Sequence, residues 1–533
     1  MDIDATALSP ELARALDEAI DRRFEAVQAG YLANLAIPSI KAAPAEGAPY
    51  GAAVGRALDH AAEAARELGL SARSVGGRAV IAEAGAGAEY VASIGHMDVV
   101  PPGAGWTREP FGPVVEGDRV YARGAADDKG GSFASLLAVA AIGDLLAAGE
   151  LELDRAVRAI LGGDEESGMS CLRHVMSVEP PPAWAVAPDG DWPVVFAEKG
   201  QALLVAEGAC PEDGVPRTSG ACPAPFPDGG QPDKPNDGPN GAGLSGAPDG
   251  SRGLHPLWVG RRLMMNCPAG GLHVASLAAG TRANVVPDLA EAVLAGEREA
   301  RDAACEVLEG WWDRNVTFGR RGDGITVRAT GLAGHGSRPH QGDNAAVRLL
   351  RALRELPMPG RAFWGGLFML CDPGGSGLNL ADCDDMTGAT TCNLGVLGVS
   401  GGRVRMAFDI RYPARRDHAW VVGRASEAAG EAGLTIVETE GVPPVHQPID
   451  GPLVQTVMAV YNAHTDEGKP PYSRGAKTYA SYVPRCVCVG RTLPGEGDGG
   501  VHGADEHATL TGLRGAGRML AELLIRLART PSA

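Results

Sequence analysis

Five short segments of this chain each carry a side chain that ligates divalent cations, so the fold is constrained to bring five distant places together. They are Gly95-His96-Met97-Asp98, Gly124-Ala125-Ala126-Asp127-Asp128-Lys129-Gly130, Gly163-Asp164-Glu165-Glu166-Ser167-Gly168, Ala187-Pro188-Asp189-Gly190 and Val501-His502-Gly503-Ala504-Asp505-Glu506. One ligand from each gives His96, His502, Asp127, Asp189 and one glutamate of the Glu165-Glu166 pair. That is the inventory of a two-zinc hydrolytic site, imidazole nitrogen with carboxylate oxygen, and it leaves one glutamate free to act as base. Three segments follow runs that read as strands, over 90–94, 156–161 and 184–187. In open α/β sheets the edge beyond the carboxyl ends of the strands is where ligands bind.

The flanking pattern supports that geometry. Residues 9–29 and 52–68 have the apolar spacing of helices, 78–82 reads as a further strand, and 129–148 reads as a helix opening just after Asp127. At 533 residues the chain is too long for one simple core. A composition break follows Gly200. Residues 209–253 are crowded with Gly, Pro, Asp and Ser and are expected to be a loosely held insertion, with ordered chain resuming near 257. Strands over 271–278 and 325–330 and a helix over 343–355 then suggest a second unit. A strand over 406–410 and a closing helix near 510–527 follow. Because His502 lies in the last part, the expected organisation is a catalytic domain over 1–200 and 405–533, with an inserted lid over 201–404. The fold class is α/β, a mixed sheet flanked by helices, carrying an inserted α+β lid.

Chemistry assigns roles within the five segments. A carboxylate has two oxygens and can bridge two ions, and Asp127 is the expected bridge. Asp98 lies two residues after His96, so in extended chain both side chains point the same way, and Asp98 can orient the imidazole. Adjacent Glu165 and Glu166 must diverge, so one can ligate while the other faces the attacking water. Taken singly, each motif has a plainer account: Asp127-Asp128 as a helix cap, Pro188-Asp189-Gly190 as a turn, Asp-Glu-Glu as a solvated cluster. Their order along one chain is what favours the site.

These segments resemble the co-catalytic zinc peptidase and aminoacylase superfamily that includes carboxypeptidase G, acetylornithine deacetylase and succinyl-diaminopimelate desuccinylase. Within it they are most similar to the peptidase V-type bacterial dipeptidases. The shared text also includes Glu198-Lys199-Gly200, Asn284-Val285-Val286-Pro287-Asp288, Gly334-His335, Gly342-Asp343-Asn344-Ala345, Ile410-Arg411-Tyr412-Pro413 and Thr478-Tyr479-Ala480. The resemblance implies a dipeptidase with two zinc ions, or manganese or cobalt in their place. His96, Asp127 and Asp189 would hold one ion, and Asp127, Glu166 and His502 the other. Glu165 would be the general base and Asp98 the orienting carboxylate, with a cis peptide between Asp127 and Asp128. From the lid, Asn284, His335 and Arg411 would touch substrate, His335 steadying the oxyanion and Arg411 pairing with the terminal carboxylate. The substrate would be a dipeptide or short peptide and the chain a monomer.

Two places depart from those dipeptidases. Lys477 stands where they tend to carry glycine, and Ser481 where they tend to carry arginine. The competing activity is N-acyl-amino-acid deacylation, since the same chemistry cleaves either amide; a zinc-binding homologue without turnover is a more remote reading. A net charge of −18 argues against nucleic acid or anionic membrane as partner. The acidic start of the chain lacks the pattern of a signal peptide, and the apolar run 133–148 is short for a bilayer, so a cytoplasmic location is expected.

Overall fold

The computed structural model describes residues 6–211 and 271–531. The Gly/Pro-rich stretch expected over 209–253, from 212 on, and the resumption expected near 257 lie outside the described residues. The chain forms two compact units, Met1–Lys199 with Pro443–Ala533, and Gly200–Val442.

The first unit is built on a nine-stranded sheet. Its centre is four neighbouring parallel strands in the order Ala156–Gly162, Tyr90–His96, Trp184–Gly190 and Cys486–Gly490. Tyr90–His96 and Cys486–Gly490 are buried along their whole length, as mainly apolar strands in a two-sided parallel sheet should be. Parallel pairing sends all four carboxyl ends to one edge. His96 is the last residue of its strand and Asp189 the last but one of its own, so both ligand candidates sit at strand ends instead of one step beyond, where the sequence placed them.

Helices cover this sheet. Lys129–Ala148 packs between Pro10–Leu35 and Leu510–Arg529. Among the described residues it is the one helix long and apolar enough to cross a membrane, and most of it is buried inside the protein. The helix spans Lys129–Ala148, as the sequence pattern over 129–148 indicated. A helix apolar on all sides is what a position between two other helices and a sheet requires. The Lys129 ammonium enters that interior by donating to the carbonyls of Asn34 (2.8 Å) and Ile37 (2.9 Å).

The second unit holds an eight-stranded antiparallel sheet, with Arg298–Glu309, Ala345–Leu353 and His418–Glu431 packed on it over one buried hydrophobic cluster. Its limit differs from the expected 404. Arg403–Tyr412 is an interior strand paired along ten residues with Gly200–Ala209, and Thr435–Val442 pairs on the other side of Gly200–Ala209. A strand near 406 reads the same in either unit, and only its pairing partner assigns it.

Candidate active site

The edge where the parallel strands end carries the candidate site. Gly95 makes the close approach possible: a Cβ there would collide with Ser132 and Asp128 at the start of the central helix. His96 follows with its ring fully buried. Nδ1 lies 2.9 Å from the Asp98 carbonyl oxygen and 3.5 Å from the Asp98 carboxylate, which turns Nε2 toward Asp127 Oδ1 at 3.2 Å. The other oxygen, Asp127 Oδ2, lies 3.2 Å from Nε2 of His502. That same His502 nitrogen is 3.1 Å from Glu166 Oε1. The two oxygens of one aspartate therefore face two different imidazoles.

The Asp98 carboxylate does more than face His96. Its oxygens accept the main-chain N–H groups of Glu165 (3.0 Å) and Glu166 (3.1 Å), so it also holds the turn that presents both glutamates. Donor atoms of His96, Asp127 and Glu166 lie within 4.8 Å of one another, and so do those of His96, Glu165 and Asp189. The Asp127–Asp128 peptide is cis.

His502 reaches this edge through tertiary contacts. His507–Thr509 pairs with Arg119–Tyr121 in a small three-stranded sheet. The buried carboxylate of Glu506 then accepts the N–H groups of Ala126 and Asp127, both at 2.9 Å, and pairs with buried Arg123. One residue thus ties the His502 loop to the Asp127 loop. Sequence reasoning quoted Glu506 within a motif but gave it no role, and overlooked Arg123.

Two further arginines escaped the sequence. Arg474 donates to the Asp189 carbonyl and to buried Glu198, which also accepts the N–H and hydroxyl of Thr478 and the hydroxyl of Ser481. This arrangement fixes the segment that carries Lys477, whose charge is felt by Glu165. Arg491 lies against Asp127 and Asp189. It follows a buried strand directly at the same edge of the sheet, and that position was the available signal.

The electrostatics are those of crowded carboxylates. Burial, then the charges of Asp189 and Glu166, lifts the Glu165 carboxyl well above its ordinary range. Burial and Asp127 push Asp189 up to about 7, and the same two causes raise Glu166. Asp127 is the exception: burial opposes its charge, but Arg491 and the two imidazoles hold it well below the usual range. For His502, burial favours the neutral ring, yet Asp127 and Glu166 outweigh it and carry the imidazole to about 10.

The three expected lid residues lie in the second unit and neighbour one another there. His335 pairs with Val285 in a short ladder, and the Gly336 N–H donates to the Asn284 carbonyl (2.7 Å). Arg411 is buried, bonds Asp409 (3.1 Å) and sits opposite Thr391, whose hydroxyl reaches the Ser337 carbonyl (3.3 Å). Asn393 donates to the carbonyls of Ala283 and Val285 and so holds the strand next to Asn284. Nδ1 of His335 accepts the Ser337 N–H (3.1 Å), so the neutral ring carries its proton on Nε2.

The family model for peptidase family M20/M25/M40 matches residues 92–526. The chain belongs to this family. This M20 peptidase is 29% identical over 503 residues to "Putative dipeptidase YtjP" of Bacillus subtilis (strain 168), covering 91% of this chain and 92% of that one. It is 26% identical over 467 residues to a Staphylococcus aureus (strain USA300) protein that also bears the name "Putative dipeptidase", covering 86% and 87%. Among solved structures, the di-peptidase Dug1p of Saccharomyces cerevisiae shares the fold, with a TM-score of 0.51 at 13% identity over 97% of this chain and 99% of that one. The M20 assignment makes the protein a hydrolase of the metallopeptidase class.

Proposed function

We propose that this M20 peptidase is a dipeptidase that works with two divalent cations, zinc or in its place manganese or cobalt. The carrying observation is Asp127, whose two oxygens each lie 3.2 Å from a different imidazole, His96 and His502. Ligands about 2.0–2.1 Å from a tetrahedral ion sit roughly 3.3–3.4 Å apart, so the spacing and the nitrogen–oxygen donor set both fit. His96, Asp127 and Asp189 would hold one ion, and Asp127, Glu166 and His502 the other. Such ions supply Lewis acidity, polarising a carbonyl and making water more acidic.

The chain's own residues do the rest. Glu165 takes a proton from the attacking water and hands it to the amine that leaves when the peptide C–N bond breaks. Asp98, gripping the Glu165 and Glu166 amides, keeps base and ligand in register. His335 donates from Nε2 to the oxygen that gains charge as the carbonyl becomes tetrahedral. Arg411 offers a guanidinium fork to the dipeptide's terminal carboxylate, and Asn284 contacts substrate beside it.

The test is to strip the protein with a chelator, count the ions it takes back, and assay a dipeptide panel beside N-acetyl amino acids. Two ions per chain, with dipeptide hydrolysis lost on stripping and restored on reloading, is the expected result. Faster cleavage of N-acetyl amino acids than of every dipeptide would make the protein a deacylase. Full metal uptake with no turnover would make it a non-catalytic homologue.

Metal removal also has a signed pH dependence. Asp189 sits at about 7 in the metal-free fold against an ordinary 3.8, so its effect on stability is most favourable below the ordinary value and is lost as pH rises through 7. His502, raised to about 10, contributes stability that is complete below 6.5 and lost as pH rises through 10. Both trends run the same way. Melting curves of stripped protein are expected to fall between pH 5 and 9, by on the order of a few kcal/mol in stability. Loaded protein should fall much less, and equal slopes for the two forms would contradict the ligand assignment.

A further inference from the structure

Lys477 lies on the edge that carries the ligand candidates, and its neighbours along the chain fix it there. Arg474 donates from Nη1 and Nη2 to the Asp189 carbonyl, both at 3.4 Å, and from Nε to the buried Glu198 carboxylate at 3.2 Å. Thr478 is fully buried and gives its N–H and its hydroxyl to the same carboxylate, each at 3.0 Å. Tyr479 sets its ring edge-on to His96, with ring centres 6.3 Å apart. The segment is thus anchored at Asp189 on one side of Lys477 and at His96 on the other. The Lys477 side chain is half-buried, and its charge reaches Glu165.

Arg474 and Arg491, at the same edge, are committed to carboxylates of the protein itself. The Lys477 ammonium is not: it has no hydrogen-bond or ion-pair partner among the described residues. It is a compact positive charge on a flexible stem, facing the place where Glu165 would work. In the dipeptidase reading, on which this inference rests, Glu165 acts at the scissile carbonyl, which belongs to the first residue of the substrate. The side chain of that residue is one bond nearer the reacting carbon than the side chain of the second. The second residue's carboxylate is assigned to Arg411. The group most exposed to Lys477 is therefore the first side chain, and a positive charge favours a carboxylate there and penalises an ammonium. The α-amino group is common to all dipeptides and cancels when two of them are compared.

We propose that Lys477 makes this protein select dipeptides whose first residue is acidic, its ammonium pairing with the aspartate or glutamate side chain of the substrate. Lys477 is a specificity-determining residue in this account and takes no part in the proton transfers.

The test is kcat/KM of the metal-loaded protein for aspartyl-alanine and glutamyl-alanine, each against its side-chain amide, asparaginyl-alanine or glutaminyl-alanine. The acid is expected to exceed its amide by at least about tenfold, with the ratio shrinking as salt rises. Lys477→Met and Lys477→Gln should bring the ratio to about one, and Lys477→Arg should keep a preference for the acid. Lys477→Glu should turn the preference toward lysyl-alanine. A ratio taken on one sample does not move with stability or with the active fraction, so it separates pairing with substrate from a structural role. Alanyl-aspartate against alanyl-asparagine should show no such ratio. A native ratio near one, a preference confined to the second residue, or a preference that survives in a neutral variant overturns the proposal while dipeptides are still cleaved. A metal-loaded native chain that cleaves no dipeptide overturns the dipeptidase reading, and the proposal with it.

Discussion

Glu165→Gln is expected to lower kcat by about 10^2–10^4-fold, the usual range for loss of a general base, while the protein still takes up two ions per chain. The glutamate is 7% exposed, and its main-chain N–H is held by Asp98. Its carboxyl is raised by burial and by the negative charges of Asp189 and Glu166. A carboxylate lifted in this way is a better proton acceptor than an ordinary one. Glutamine keeps the shape and loses the basicity. Steady-state kinetics with metal analysis on the same samples checks the prediction. Turnover within tenfold of the native enzyme would remove Glu165 from the mechanism, and a loss of bound metal would make it a ligand instead.

Asp127→Asn should do damage of a different kind. An amide offers one oxygen acceptor and no negative charge, so it cannot serve His96's ion and His502's ion together. The expected result is a loss of more than about 100-fold in metal affinity, beyond what removing a ligand's supporting partner costs, with uptake falling below two ions and activity falling with it. The main chain should stay in place, because Glu506 holds the N–H of residue 127 regardless of its side chain. Excess metal should restore part of the activity only if one ion suffices for turnover. Unchanged uptake of two ions would show that Asp127 does not bridge, and would undo the assignment of both positions.

Much of this site was legible before any coordinates. The runs over 90–94, 156–161 and 184–187 announce themselves as mostly apolar stretches closed by Gly or Pro with a ligand candidate close behind, and a local pattern of that kind survives folding intact. The sequence also contained the ligand types. Their separation was bridged only by resemblance: Glu166 and His502 are 336 residues apart, and no periodicity links them. The limit of the second unit at 442 was not visible, because Arg403–Tyr412 has an ordinary strand pattern and belongs where Gly200–Ala209 pairs with it.

The sequence by itself determined which atoms are on hand at the strand ends, since residue type and short-range alternation are properties of the chain wherever it lies. Tertiary structure alone decided what those atoms feel. Arg491 near Asp127, Glu506 on the Asp127 amide and the Asp98 carboxylate on two glutamate amides are all consequences of long-range packing. The charge state of a buried group is a sum over neighbours in space, and those neighbours come from remote parts of the chain.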